Sequence, residues 1–455
     1  MSPIDETTIA RVARGGPADV EAAVAAARTG SDIWGAMPTA ERAGILHAVG
    51  EGVEKRADEL ALVETRDNGS LLRSMRTSVM PRVALNFHSF ADQLLQLAEP
   101  DIETRGHTNH VEWDPSGVTV VITPWNAPLM LATWRVAPAL AAGNAVILKP
   151  PEWAPLTASM LGDIVHDAGL PDGAFNVVQG IGEEAGAELV AHPGVDRIAF
   201  TGSVATGRLV AAAAAQNLTP TSLELGGKSP FVAFADADLD AVVKQAVNQF
   251  DNAGQVCLAG TRLIVERAVF DEFLGRFVAA TETLRQGDPR DEATDLGPLI
   301  TRQHFERVDG FVKRAKAAGA HVLMGGGPNE ELGGLYYSPT LFVDAPAGAE
   351  ILTQEVFGPV LTAQPFDDED EAIALANGTD YGLAAILYTG DPDRADRVSR
   401  RLVAGTVWVN SFFVRDLRVP FGGSRNSGVG REGGVRSFDF YADVKNICVA
   451  PWERS

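Results

Sequence analysis

Apolar and polar positions along the chain fall into two kinds of pattern. Residues 17–97 repeat apolar side chains at helical spacing through VEAAVAAA, AGILHAVGEGV and LALVET, which predicts a mostly helical opening. From Gly117 to about residue 235, short apolar runs alternate with helical stretches. In order these are VTVVI (118–122), a helix around Leu129 to Ala142, NAVILKP, a helix around Ala154 to Ala168, FNVVQG, a helix near Glu184 to Ala191, RIAFTG, an Ala-rich helix from Ser203, and TSLELGG. A strand buried on both faces reads as an unbroken apolar run, so this alternation predicts an α/β unit of the doubly wound, nucleotide-binding class. The alternation resumes in a second α/β unit. Strands are expected near Thr261 to Val265, Pro339 to Phe342, Val360 to Phe366, Ala385 to Tyr388 and Thr406 to Val409, with helices near 268–284, 302–318, 369–376 and 391–403. MGGGPNEELGG (324–334) reads as a surface loop. The closing YADVKNICVA alternates like an edge strand that pairs with another element or subunit.

At 455 residues the chain is long for a single core and fits two or three domains. Its 45% apolar and 22% charged residues are those of a globular protein, which excludes a disordered or fibrous chain. The most apolar stretch, Gly117 to Leu148, is broken by Pro124, Asn126, Pro128, Arg135, Pro138 and Asn144 before the roughly 18 clean residues of a membrane span accumulate. Sixty acidic against 38 basic side chains give a net charge of −22, which repels nucleic-acid phosphates and anionic lipid, so neither partner is expected. Two cysteines, Cys257 and Cys448, cannot form a disulfide framework. The start MSPIDETTIA has neither a basic nor an apolar targeting region, so a cytoplasmic, reducing compartment is expected, and no metal is.

Several segments carry chemistry. Gly180, Gly182 and Ala185 match the dinucleotide fingerprint G-x-G-x-x-G/A between a strand and a helix. Glu183 and Glu184 sit where a pyrophosphate would dock, however, and a tight strand-to-helix turn is the competing reading. FTGSVATG (200–207) is the better phosphate candidate, because Gly202 lets the backbone approach a ligand and Ser203 can cap a helix with free N–H groups and no nearby acid. Cys257 lies among small residues and amides in DNAGQVCLAG near an expected helix start, a setting that lowers a thiol pKa towards the reactive thiolate; a buried structural cysteine is the alternative. Glu224 closes an apolar strand in SLELGGK, either paired with a group such as Lys228 or kept as a general base of raised pKa. Asn126 in TPWN either holds the turn set by Pro124 or donates to a developing oxyanion.

TPWN, LKPPE, FTGS, LELGGK, GQVC, EVFGP and PFGGSRNSGVGRE occur in this order, and on them the chain resembles the NAD(P)-dependent aldehyde dehydrogenase superfamily from about Ile9 to Trp452. NQFDNAGQVCLAGTR and FFVRDLRVPFGG look most like the semialdehyde dehydrogenases of aromatic ring cleavage, of the 2-hydroxymuconic and 2-aminomuconic type. The resemblance implies a Rossmann-type NAD-binding domain (1–100 and 118–226), an α/β catalytic domain (227–437) and a small oligomerisation β-segment (101–117 and 438–455), hence a homodimer or homotetramer. It implies Cys257 as the nucleophile, the Asn126 amide and the Cys257 N–H as oxyanion donors, and Glu224 as the base that activates water to release a free acid rather than a coenzyme A ester. For the cofactor it implies NAD, with Lys149 and Glu152 on the adenosine ribose, where a carboxylate repels the 2′-phosphate of NADP. Gly202 and Ser203 would lie by the diphosphate, Trp125 at the cofactor, Glu355 on the nicotinamide ribose and Phe357 beside it.

Arg415, ahead of PFGG, is expected to grip a substrate carboxylate, with Arg82 of MPRVALNF as a second contact. The competing reading ties Arg415 to Asp416 and Arg82 to acids near its own helix. Leu258 stands where many relatives have a small polar residue. Arg135 stands in place of a common lysine; it stays charged, cannot relay protons, and is expected to be structural. A broad-specificity enzyme for simple aldehydes and a non-catalytic NAD-binding protein on the same fold are the alternatives.

Overall fold

The structure is a computed structural model that describes residues 1–452. Its opening is helical, in Pro17–Gly35, Thr39–Lys55, Ala57–Asn68 and, after a π-turn at Met75–Val79, Met80–Leu95. The first large sheet has six strands in the spatial order Gly428–Val429, Thr221–Glu224, Arg197–Thr201, Val118–Ile122, Ala145–Lys149, Phe175–Val177. All neighbours are parallel except the first pair. Val118–Ile122 and Ala145–Lys149 are buried at every position, which is why they read as mostly apolar runs. The chain starts in the middle of this sheet at Val118–Ile122, builds outward through Ala145–Lys149, and then returns to the other side with Arg197–Thr201. The carboxyl ends of Val118–Ile122 and Arg197–Thr201 therefore flank the switch point, the crevice where open α/β sheets bind ligands. TPWN and TGS leave from those two ends.

The second sheet has seven strands, in the order His321–Met324, Thr340–Val343, Val360–Phe366, Arg262–Glu266, Pro230–Ala233, Ala384–Tyr388, Thr406–Val409. The third joins Ile102–Thr104, His107–Pro115 and Ala442–Val449, all antiparallel, with Ala442 opposite Pro115 and Val449 opposite Thr108. The closing segment thus pairs with an element of its own chain and leaves its other edge bare. No described helix is long and apolar enough to cross a membrane.

The stretch expected as a helix near 184–191 is a π-turn, Gly182–Gly186, followed by a short helix, Ala187–Ala191. Gly180, Gly182 and Ala185 thus lie in the tight turn that competed with the fingerprint reading. Glu184 is paired with Arg14, and the Gly15 N–H donates to the Gln179 carbonyl at 2.9 Å, so the turn is closed by the chain's own opening segment.

Candidate active site

Glu224, Asn126, Cys257, Glu355 and Arg415 come together beyond the carboxyl ends of the six-stranded sheet. Gly226 and Gly227, which follow Glu224, explain the close approach. A Cβ on Gly226 would collide with the Glu355 carboxylate, and one on Gly227 would lie 2.6 Å from the Cys257 carbonyl. Only glycine lets the strand end, the cysteine loop and the EVFGP loop share this space. The cysteine loop is built from Asn252, Ala253 and Gly254, all in the left-handed region, followed by an irregular turn at Cys257. Side chains hold it there. Asn252 Nδ2 donates to the Asn126 carbonyl at 3.1 Å, Ser70 Oγ donates to Asn252 Oδ1 at 3.0 Å, and Gln255 Oε1 accepts from the Ile300 N–H at 3.0 Å. Asn126 Nδ2 donates to the Gln255 carbonyl at 2.9 Å, which places its amide two residues from Cys257 with a second N–H to spare.

The electrostatics correct one expectation. Cys257 is at no helix start, and its thiol is pushed up to about 12, first by burial and then by the facing carboxylates of Glu355 and Glu224, while Arg415 opposes them. These surroundings favour the protonated thiol over the thiolate. Glu224 is buried, with Oε1 unpartnered among the described residues. Burial, then the neighbouring Glu432, pushes its carboxyl up to about 8 against the pull of Arg135, Arg415 and Arg431. It is not the partner of Lys228, which lies fully buried beside Arg262 and Glu355 and is pushed down to about 7 mainly by burial. Glu355 is pushed up to about 7 by burial, and its Oε1 accepts from the Gly227 N–H at 2.9 Å. Arg135 is structural: fully buried, it donates to Glu432 Oε1 at 2.6 Å, to Ser222 Oγ at 3.2 Å and to Thr201 Oγ1 at 3.0 Å. Leu258 is packed in the core.

Arg415 does not pair with Asp416, which is taken by Arg418 Nε at 2.9 Å. Its guanidinium stacks 3.7 Å from the Phe421 ring centroid and 4.9 Å from that of Trp134, with Nη2 buried and unpartnered. Arg82 lies 5.5 Å from the same indole. Among the described residues neither arginine makes an ion pair, and burial together with the like charge of Arg415 pushes Arg82 down to about 10. Two guanidiniums thus share one tryptophan without a salt bridge among the described residues, and Arg415 is close enough to act on Cys257 and Glu224.

On the other side lies a groove of a different character. Lys149 Nζ, buried, reaches Glu152 Oε2 at 3.2 Å. Ser203 Oγ caps the helix Val204–Ala214 by accepting from the Thr206 N–H at 3.2 Å, and the Gly202 N–H donates to the Glu224 carbonyl at 3.0 Å. Trp125 meets Trp153 at 5.7 Å, His304 at 5.0 Å and Phe357 at 5.3 Å between ring centroids. His304 Nε2 is 2.7 Å from the Phe357 carbonyl, and Phe357 holds a left-handed φ of +63°. A polar end that suits ribose hydroxyls, a capped helix start and an aromatic wall beside Glu355 fit a dinucleotide along the switch-point crevice.

Sequence reading missed Glu432, Trp134, Asn86 and His304. Glu432 had a signal, as the acid that ends GVGRE. Trp134 and Asn86 sit on helices that read simply as amphipathic, and nothing in the sequence brings them to the arginines.

Residues 1–447 match the model of the aldehyde dehydrogenase family. The 2-hydroxymuconic semialdehyde dehydrogenase of Pseudomonas sp. (strain CF600) is 46% identical over 99% of this chain and 95% of its own length. The 2-aminomuconic semialdehyde dehydrogenase of Homo sapiens is 40% identical over 96% of this chain and 92% of its own. Among solved structures, the P. syringae indole-3-acetaldehyde dehydrogenase in complex with NAD+ and IAA superposes with a TM-score of 0.97 at 37% identity, covering 99% of this chain and 92% of that one. With its cysteine, carboxylates and crevice arranged as above, the chain belongs to the aldehyde dehydrogenase family.

Proposed function

We propose that the protein oxidises a carboxylate-bearing semialdehyde, of the 2-hydroxymuconic type acted on by its relatives, to the free acid with NAD. The observation that carries the substrate class is Arg415, which acts on Cys257 and Glu224, makes no salt bridge among the described residues and shares the Trp134 indole with Arg82. A planar guanidinium matches a carboxylate, and a chain of net charge −22 has no global field to attract an anion, so local guanidiniums must supply the attraction.

Lys149 and Glu152 would hold the adenosine ribose, Gly202 and Ser203 the diphosphate, and Trp125, Glu355 and Phe357 the nicotinamide end. The exposed Glu152 carboxylate on the ribose favours NAD over NADP. Bound there, the nicotinamide supplies a hydride acceptor. The protein's residues do the rest. The Cys257 thiol gives its proton to one of the two carboxylates facing it, and the sulfur adds to the aldehyde carbon. The carbonyl oxygen, now an oxyanion, takes the spare Asn126 amide N–H and the Cys257 N–H, which faces its own sulfur. After oxidation the acyl group is a thioester on Cys257. Glu224, with an unpartnered Oε1, takes a proton from water; the hydroxyl adds to the acyl carbon, the C–S bond breaks, and the acid leaves. Glu355 is held by the Gly227 N–H and leaves Glu224 as the deacylating base.

The six-stranded sheet is the cofactor unit and the seven-stranded sheet the catalytic unit in this reading. The bare edge of Ala442–Val449, with Val444 and Ile447 exposed, is the seam of a homodimer or dimer of dimers. Free thiols at Cys257 and Cys448 suit a reducing cytoplasm.

The test is Arg415→Ala assayed with 2-hydroxymuconate semialdehyde and with hexanal. The variant is expected to lose about 2–4 kcal/mol in kcat/KM on the carboxylated substrate, the cost of one side of a charged hydrogen-bonded pair, and far less on hexanal. Equal losses on both would show that the arginine only supports its loop.

A further inference from the structure

Asn86 is fully buried on the helix Met80–Leu95, one turn beyond Arg82. Its Oδ1 accepts from Arg82 Nε at 3.0 Å, and its Nδ2 donates to Thr133 Oγ1 at 3.0 Å and to the Met130 carbonyl at 3.3 Å. Thr133 Oγ1 spends its own proton on the Leu129 carbonyl at 3.0 Å, so it meets Asn86 as an acceptor. These partners fix the amide. Turned over, its N–H groups would face the Arg82 Nε–H and its oxygen would face the Met130 carbonyl. We propose that Asn86 is a positioning residue that aims the Arg82 guanidinium at the substrate carboxylate without neutralising it, an inference that rests on the reading of Arg82 as a carboxylate contact.

Three features support this role. The first is chemical: a neutral amide oxygen orients a guanidinium but leaves its charge for a ligand, whereas a carboxylate at the same place would pair with it. The nearby acid, Asp416, is committed to Arg418. The second is geometric: with Nε engaged by Asn86, the edge formed by the two Nη groups remains for an end-on, bidentate carboxylate. The third is mechanical. Asn86 ties Arg82 to the helix Pro128–Ala141, which begins two residues after Asn126 and carries Trp134, the indole shared by Arg82 and Arg415. One helix thereby sets the spacing between the oxyanion amide and the anion receptor, the quantity that matches a substrate with an aldehyde at one end and a carboxylate at the other.

The experiment measures kcat and KM for 2-hydroxymuconate semialdehyde and for hexanal with NAD, in Asn86→Leu, Asn86→Asp, Arg82→Gln and the Asn86→Leu/Arg82→Gln double variant, with thermal unfolding as a check on folding. For Asn86→Leu the ratio of kcat/KM for the carboxylated over the neutral substrate is expected to fall about tenfold, carried by KM rather than kcat, and the double variant is expected to lose no more selectivity than Arg82→Gln alone. Asn86→Asp, which keeps the size of the side chain if leucine does not fold, is expected to lose selectivity because its carboxylate occupies the guanidinium. If Arg82→Gln is selective but the Asn86 variants depress both substrates equally, or if the double variant loses the sum of the two single effects, the positioning role is overturned. If Arg82→Gln is itself unselective, the reading of Arg82 falls and the proposal with it.

Discussion

The surroundings of Cys257 and Glu224 favour their neutral forms, with the thiol pushed up to about 12 and the carboxyl to about 8. A base that titrates near 8 is mostly protonated below that pH, so kcat for the semialdehyde is expected to rise close to tenfold per unit from about pH 6 and to level off above 8. That limb should disappear in Glu224→Gln; a profile that stays flat from 6 to 8 in the wild type would show that another step limits turnover. Glu152 predicts NAD over NADP by at least about tenfold in kcat/KM, or roughly 1.4 kcal/mol, and Glu152→Ser should narrow the gap. Equal values for the two cofactors would mean that the ribose groove is read wrongly. At this scale the sequence picks out Cys257, Glu224, Asn126 and Glu355 as candidates, because their motifs are short and local, and the fold brings them together. It does not show their ionisation. Nothing in DNAGQVCLAG reveals that the half-buried cysteine faces two carboxylates, and a local reading of small residues and amides points to a thiolate instead.

At the scale of elements, the parallel strands were legible because Val118–Ile122 and Ala145–Lys149 are buried on both faces and so are mostly apolar, with Thr119 and Lys149 the polar exceptions. The π form of the turn at Gly182–Gly186 and the left-handed run Asn252–Gly254 were not, since both are set by partners distant in sequence, Arg14 for the first and Asn126 and Ser70 for the second. The same holds for the buried ion pair of Arg135 with Glu432, which ties the helix Pro128–Ala141 to the segment after Gly430 and to the strand Thr221–Glu224 through Ser222. Removing one partner leaves a buried charge alone. Arg135→Met is therefore expected to destabilise the fold by about 3–5 kcal/mol, whereas a double replacement of Arg135 and Glu432 by apolar residues should recover much of that loss. Denaturant unfolding of the single and double variants checks this, and a single variant within about 0.5 kcal/mol of the wild type would contradict it.

For the whole molecule, buried acids and net charge push stability the same way. Glu64, Asp67, Glu224 and Glu355 all have folded-state pKa values raised above their ordinary range, chiefly by burial. Between pH 4.5 and 8 these four acids bind more protons in the folded chain than in the unfolded one, so stability falls as pH rises through their folded values; His304 and Lys228, pushed down to about 4 and about 7 by burial, oppose this but are two groups against four. Exposed acids held by arginine, such as Glu369 and Asp416, have lowered values and are lost only in stronger acid. The melting temperature is accordingly expected to be at least about 2 °C higher at pH 6 than at pH 8.5, and a rise with pH over that range would contradict the burial of these groups. Assembly belongs to this scale as well. Light scattering should give a multiple of the 48.2 kDa chain, and a monomer at micromolar concentration would remove the proposed role of the Ala442–Val449 edge.

The central claim, a thioester on Cys257 released by Glu224, is tested most directly by a single turnover of Glu224→Gln with NAD and 2-hydroxymuconate semialdehyde, quenched and digested for mass spectrometry. Because Glu355 also faces the sulfur, acylation is expected to slow but to run to completion. The account predicts one NADH per subunit and an acyl adduct on the peptide that contains Cys257, with steady turnover down at least about a hundredfold. Turnover near the wild-type rate, or NADH released with no adduct on Cys257, would contradict it.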